Sequence, residues 1–344
     1  MIGLDISSSS VKLVELNQDK SGKLVLERCA IVPFERGWIV DGNIEKFEEV
    51  VSAVQKVLKK SGTKTKNVAM ALPPSAVITK KIVLSGDLSD QELELQVEVE
   101  ANQYIPFPLE EVSLDYCLVG PSAVAGDVEI LIAASRREKV QDISGLAEAV
   151  GLKPVVLDVE SYASRLAASR LIGNRPGNGV DAVVALFEVG ANTTSMQVLC
   201  NDDVLYDRDQ AFGGAQLTQM LVRHYGFSLE EAESKKISGD FPEDYVAAVL
   251  QPFTDNLVQE IGRALQFFFT STTHNKVDLV LLAGGSSALP GLKEALTRQT
   301  GFNCAVANPF EGMTIGPGVR QDTLSMEAPS YLTSCGLAMR RFLQ

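Results

Sequence analysis

A short pattern that occurs twice limits the fold of this chain more than any other feature. It is an apolar run ending in an acid, a turn of small polar residues, then a second apolar run. The first copy, MIGLDISSSSVKLVEL, fills residues 1–16: Ile2-Gly3-Leu4 and residues 11–16 are its arms, with Asp5, four serines and Lys12 at the turn. Short β-rich runs split by small polar residues read as a hairpin. The second copy, FEVGANTTSMQVL, fills residues 187–199. Setting Glu188 on Asp5, an offset of 183 (188 − 5), lays Val189 on Ile6, Gly190 on Ser7, Thr193 on Ser10 and Thr194 on Val11. One such turn in each half suggests a duplicated fold whose two hairpins face each other.

The turn chemistry suggests a ligand. Serine N–H and hydroxyl groups supply donors with little bulk, and beside a cation they suit phosphate oxygens, while a carboxylate there suits Mg²⁺. Alone, a serine-rich hairpin is more often only a hairpin, and the second copy tips the balance toward a phosphate clamp. Residues 277–292, VDLVLLAGGSSALPGL, read as a buried strand, a Gly-Gly turn and a helix. Glycines there let the backbone approach a planar ligand, although any strand–turn–helix looks similar. Glu233 and Lys236, three apart on a helix, share a face that could hold a ribose or simply be solvated. Gly213-Gly214 reads as a phosphate-facing turn or as a tight connection.

Other classes fit poorly. A net charge of −13 over 344 residues argues against direct binding of nucleic acid or an anionic membrane. Five scattered cysteines, with no C-x-x-C, are the pattern of free thiols in a reducing compartment. Two histidines, His224 and His274, make a histidine triad or metal cluster improbable. No run approaches the ~20 apolar residues of a membrane span. The N-terminus opens directly on a strand with no room for a signal peptide, so a cytosolic protein is expected.

In chain order the first hairpin is followed by a strand over 24–32, a helix over 43–60 closed by Ser61-Gly62, and a strand over 68–72. Residues 75–154 read as an inserted small domain of βαββαβ type. Within it, residues 89–104 alternate like a strand, yet Ser89 and Glu92 form a capping box, and a helix is expected. The inserted unit closes with strands over 114–119 and 128–134, a helix over 137–150 and a strand over 154–159. A helix over 160–172 leads to a Gly/Pro/Asn run at 173–179, the best linker candidate. The second half reads as a strand over 181–187, the second hairpin, helices over 213–224, 229–250 and 255–269, a strand over 277–283, and helices over 292–299 and 331–342. The expected domains are 1–74 with 155–172 and 329–344, the insertion 75–154, and 173–328 with a helical part at 226–276.

This order of motifs (phosphate hairpin, linking helix, phosphate hairpin, A-E-x-x-K, A-G-G-x-S) resembles the ATPase superfamily of actin, heat-shock chaperones and sugar kinases. The small domain before the linking helix is similar to the bacterial FtsA branch. Within it, ALPPSAVITKKIVL, VEVEANQYIPFPLEEVSLDY and VLDVESYA resemble the PilM family of type IV pilus assembly proteins across essentially the whole chain. The resemblance implies an actin-like, duplicated ribonuclease H-like α/β fold with an FtsA-type inserted subdomain, and ATP with Mg²⁺ in its cleft. By position it puts Asp5 and Glu188 near the metal. Ser8, Ser9, Ser10, Lys12, Gly190, Ala191, Asn192 and Thr193 fall at the phosphates, with Gly213 and Gly214 as a further phosphate-facing turn. Glu233, Lys236, Gly284, Gly285 and Ser286 face the nucleoside. It also implies a partner, the N-terminal cytoplasmic tail of a PilN-like single-span protein, which would bring this chain to the inner face of the inner membrane; self-association is a further option.

Two departures from the family pattern stand out: Ser7 where glycine is usual, and Glu188 where aspartate is usual. No general base is evident beyond Asp158 and Glu160, so slow turnover at most is expected. Two other classes compete, an FtsA-like division filament and a small-molecule kinase. The first would carry a C-terminal amphipathic membrane helix where this chain ends in what reads as a fold helix. The second would need a catalytic Asp or Arg that the sequence does not offer. A chaperone would need a substrate-binding domain for which the length leaves no room.

Overall fold

The computed structural model describes residues 1–201 and 203–343. They divide into two compact units, one holding residues 1–15, 30–163 and 337 onward, the other residues 16–29 and 164–336.

In the first unit the alternating arms of the N-terminal pattern form β1 (Ile2–Ile6) and β2 (Ser10–Gln18), paired antiparallel with Ile2 opposite Glu15 and Asp5 opposite Lys12. After β3 (Leu24–Pro33) comes a two-residue ribbon, β4 (Ile39–Val40) with β5 (Asn43–Ile44). This ribbon delays the expected helix, because Asn43 is spent on pairing and Lys46 offers no side-chain cap. α1 therefore runs Phe47–Ser61. It buries Val50, Val51, Val54 and Val57, carries acids in its first turn and lysines in its last, and stops at Gly62 with φ 65°. β6 (Asn67–Leu72) pairs parallel with β1.

Next come β7 (Val77–Ser85), α2 (Asp90–Tyr104), β8 (Val112–Pro121), β9 (Asp127–Arg136), α3 (Arg137–Ala149) and β10 (Lys153–Val159). The alternation in residues 93–100 does not make a strand. Both halves of the Ser89–Glu92 capping box are formed, and Val97 and Ala101 are the buried face of α2. The small sheet has the order β7-β9-β8 and closes a core of its own with Val97, Ala101, Ile105 and Ile130. α3 and β10 do not join it: β10 pairs parallel with β6, and Ile143 and Leu146 of α3 pack under the large sheet. So the compact part of the expected βαββαβ unit is one helix on three strands.

α4 (Glu160–Gly173) leads into a turn at Pro176–Gly179, where Gly177, Asn178 and Gly179 all have positive φ. The second unit is built on β11 (Val184–Val189), β12 (Thr194–Cys200) and β13 (Asp203–Gln210), the last not anticipated by any strand pattern. α5 (Gly214–Tyr225) and α6 (Leu229–Ser238) follow. The stretch over 229–250, expected to be mostly helical, has one break, because Gly239 caps α6 in the left-handed conformation and helix resumes as a π turn, Val246–Leu250, running into α7 (Gln251–Ser271). β14 (Leu279–Ala283), α8 (Leu292–Thr300), β15 (Cys304–Val306), β16 (Thr314–Ile315), α9 (Gln321–Glu327) and α10 (Leu332–Met339) complete the chain. The sheet order is β13-β12-β11-β14-β15, with Phe187, Phe253 and Phe268 fully buried on one side. β16 pairs parallel with Val25 and Leu26 of β3.

Candidate functional site

Both hairpin turns close by the same bond. In the first, the Ser7 N–H donates to the Ser10 carbonyl at 3.0 Å; in the second, the Gly190 N–H donates to the Thr193 carbonyl at 3.0 Å. The sequence offset of 183 is therefore also a structural equivalence.

Beneath the first turn, Lys12 Nζ lies 2.9 Å from Asp5 Oδ2 and 2.9 Å from Ser7 Oγ, with both charged side chains about nine-tenths buried. Ser7 Oγ donates in turn to the Ser10 carbonyl at 3.1 Å. Serine in place of the usual glycine thus adds a hydroxyl that accepts from the lysine. The Ser8 and Ser9 hydroxyls make no hydrogen bond among the described residues, while the Ser9 carbonyl accepts from Phe34 N–H. The loop that follows carries Phe34 stacked on Trp38, the sole tryptophan, with ring centroids 5.2 Å apart.

In the second unit, hydrogen bonds join Gly190, Ala191, Gly214, Glu233, Lys236 and Ser286, and Gly213 and Gly284 pack directly on the turn. The Gly190 and Ala191 carbonyls accept from the N–H groups of Gly214 and Ala215 at 2.9 and 2.7 Å, so the hairpin turn sits on the start of α5. That approach requires glycine: a Cβ on Gly213 would lie 2.6 Å from the carbonyl oxygens of both Gly190 and Ala191. Gly284 closes the third side with φ 84° and ψ 164°, a glycine-only conformation, and a Cβ there would lie 2.5 Å from the Val189 carbonyl. Ser286 Oγ donates to the Gly190 carbonyl at 3.4 Å, and Gly285 opens the 3₁₀ turn between them.

Glu233 and Lys236 extend the patch from α6. Lys236 Nζ lies 3.0 Å from Glu233 Oε2, 2.9 Å from Thr218 Oγ1 and 3.4 Å from the Gly214 carbonyl; Thr218 Oγ1 lies 2.5 Å from Glu233 Oε1. Fully buried Thr218 is therefore the post that fixes the pair, and the sequence reading missed it. Its signal was a hydroxyl on the apolar face of α5, one turn after Gly214. Thr333 was missed too; its hydroxyl lies 3.4 Å from Glu188 Oε2, and nothing in its sequence context announces this. Asn192 and Thr193 at the turn are exposed. Asp158, a candidate base by position, is held by Arg340, whose Nε lies 2.5 Å from its Oδ2.

A sequence profile of the type IV pilus assembly protein PilM family matches residues 3–342. The chain belongs to the PilM family. Among solved structures it is similar to the PilM-PilN type IV pilus biogenesis complex, with a TM-score of 0.79 and 29% identity, covering 100% of this chain and 98% of that one. The ethanolamine utilization protein EutJ from Carboxydothermus hydrogenoformans aligns with a TM-score of 0.58 and 15% identity, over 98% of this chain and 88% of that one. Diol dehydratase-reactivating factor in nucleotide free form aligns with a TM-score of 0.55 and 12% identity, over 99% of both chains. At those identities the last two speak for the fold alone. The fold is actin-like, and PilM membership favours a pilus-assembly scaffold over the division filament and the kinase. No helix among the described residues is long and apolar enough to cross a membrane.

Proposed function

We propose that this chain is an ATP-binding actin-like scaffold of type IV pilus assembly that holds the short N-terminal cytoplasmic tail of a PilN-like membrane protein. Through that tail it would act at the inner face of the inner membrane. The observation that carries the reading is the full-length likeness to the PilM of a PilM–PilN complex. A cavity of about 460 Å³ in the first unit supports it. Ile78, Ile105, Pro106 and Phe107 form its apolar wall, and Arg136 and Lys139 stand among its polar residues. Pro106 and Pro108 keep the 104–108 loop from closing into helix or ladder. The Arg136 guanidinium lies 4.0 Å from the centre of the Phe107 ring, and β7 is an edge strand whose backbone can pair with an extended peptide.

The nucleotide reading rests on the two turns. Ala191, Asn192 and Thr193, with Ser8, Ser9 and Ser10, would hold phosphate oxygens; Glu233, Lys236, Gly284, Gly285 and Ser286 would face the nucleoside. No group of three or more metal-ligating side chains converges among the described residues. Mg²⁺ that arrives on phosphates keeps several waters and needs only one or two carboxylates, and Asp5 and Glu188 are the two we propose for that role. Bound Mg²⁺ would neutralise phosphate charge, while Lys12 would divide its charge between Asp5 and the phosphates. With Asp158 engaged by Arg340, the proposal includes slow turnover at most.

Fluorescence anisotropy of a labelled PilN-like N-terminal peptide against the full chain tests the partner reading. Saturable binding should weaken by about tenfold or more in Phe107→Ala and Arg136→Glu, with Mg-ATP binding retained, the scale of losing one buried apolar anchor or one charge-assisted contact. Equal affinity in both variants would place the peptide elsewhere.

A further inference from the structure

A second cavity, of about 510 Å³, lies at the opposite character extreme from the apolar one. It is lined by Met1, Thr65, Lys66, Asn67 and Arg341, with no acidic residue among them. It sits where the parallel strands β1, β6 and β10 begin, at Ile2, Asn67 and Lys153. The Lys153 N–H donates to the Lys66 carbonyl at 2.8 Å, which fixes two strand starts side by side. Lys64, one residue beyond Thr65, is exposed as well.

The carboxylate adjoining this edge is Glu15. Its oxygens accept from the hydroxyls of Thr63, at 2.8 Å, and Thr65. Lys66 and Arg341 have no carboxylate partner among the described residues, although acids outnumber bases by 44 to 31 in the whole chain. In so acidic a protein, two side-chain cations, Lys66 and Arg341, lining one cavity without a carboxylate partner of their own invite an anion, with Glu15 acting on the Met1 amine beside them. The overall negative charge does not forbid one, because at physiological salt the screening length is about 8 Å and the nearest charges dominate.

We infer that this cavity is an anion site for a phosphate group. The guanidinium of Arg341 presents paired donors that match two phosphate oxygens, Lys66 adds a point charge, and the Asn67 amide adds a neutral donor. Leu343, two residues beyond Arg341 in the chain, is exposed, so the phosphate could belong to a lipid headgroup as readily as to a free ion.

The test uses the full chain with two probes at about 0.15 M salt, the physiological ionic strength: inorganic pyrophosphate by calorimetry, and phosphatidylglycerol–phosphatidylcholine vesicles by co-sedimentation, with pure phosphatidylcholine as the blank. Lys66→Glu and Arg341→Glu are compared with the parent, and thermal melting and Mg-ATP binding serve as controls on folding and on the nucleotide patch. Either probe should bind and be weakened by about tenfold in each variant, the scale of one charge-assisted contact, with both controls unchanged. Binding of vesicles alone identifies a headgroup site; binding of pyrophosphate alone identifies a free-anion site. Failure of both probes to bind overturns the inference, as does binding that survives both substitutions.

Discussion

The two hairpins share a turn and differ in what holds it. At the position two residues past the turn closure, the first hairpin has Lys12 opposite Asp5 and the second has Ser195 opposite Glu188. The first is therefore a charge-held turn: its acid carries a counter-ion in the same ribbon, 2.9 Å away and out of water. The second is held by shape. Its turn is wedged between Gly213 and Gly284, whose missing side chains allow backbone contact, and Glu188 accepts from the neutral hydroxyl of Thr333. Duplication preserved the loop geometry while the two copies found different means of fixing it.

The largest effect expected from this contrast is on stability. Lys12→Ala strands the Asp5 carboxylate without its counter-ion and should cost about 3–5 kcal/mol, the range for breaking a buried pair from one side. Asp5→Asn combined with Lys12→Met should recover most of that loss in urea unfolding. Additive losses in the double variant would mean that the pair is not a unit. Next in size is Gly284→Ala, which forces a side chain into a glycine-only conformation and against the Val189 carbonyl. A loss of about 3 kcal/mol is expected from strain plus overpacking, read from the same unfolding curves. Thr333→Val should cost under about 1 kcal/mol, since it removes one long neutral hydrogen bond. A loss as large as that of Lys12→Ala would erase the distinction between the hairpins.

Much of this was legible in the residues, and the exceptions have physical causes. The hairpins, α1, α3 and β14 announced themselves because their apolar spacing coincides with the face they bury. Ser89 and Glu92 settled α2 against a misleading alternation, because a formed cap satisfies N–H groups that a strand would spend on a ladder. β13 stayed hidden because Asp203, Asp207, Arg208 and Asp209 face water on an edge strand, so its stability comes from pairing with β12. At the candidate site, the spacing of Glu233 and Lys236 put them on one face of α6, where they pair, while the roles given to them and to the glycines came from the family resemblance. Thr218 and Thr333 were not, since each matters only through what the tertiary fold brings beside it.

The smallest predicted effect concerns the foot of the second hairpin, which has a titratable staple. Asp278 Oδ2 accepts from Val183 N–H at 2.9 Å, and this bond, followed by Lys276, holds its pKa below the ordinary value. A depressed carboxylate pKa stabilises the folded state above the unfolded pKa of about 4, and the contribution is lost as pH falls through the lower folded value. The opening free energy of residues 183–185, from amide exchange corrected for the intrinsic pH dependence of exchange, should therefore be flat from about pH 8 to 5 and fall below about pH 4, and Asp278→Asn should remove that pH step. A fall in corrected protection on the alkaline side instead would invert the assigned sign.

The proposed nucleotide function assigns a role to the acid of each hairpin, and a calorimetric titration of Mg-ATP into the parent chain, Asp5→Asn and Glu188→Gln tests it most directly. Each near-isosteric change is predicted to weaken binding by about 1–2 kcal/mol, the scale of one charge-assisted contact, with Trp38 fluorescence tracking occupancy of the first hairpin in all three. Undiminished affinity in both variants would contradict the claim.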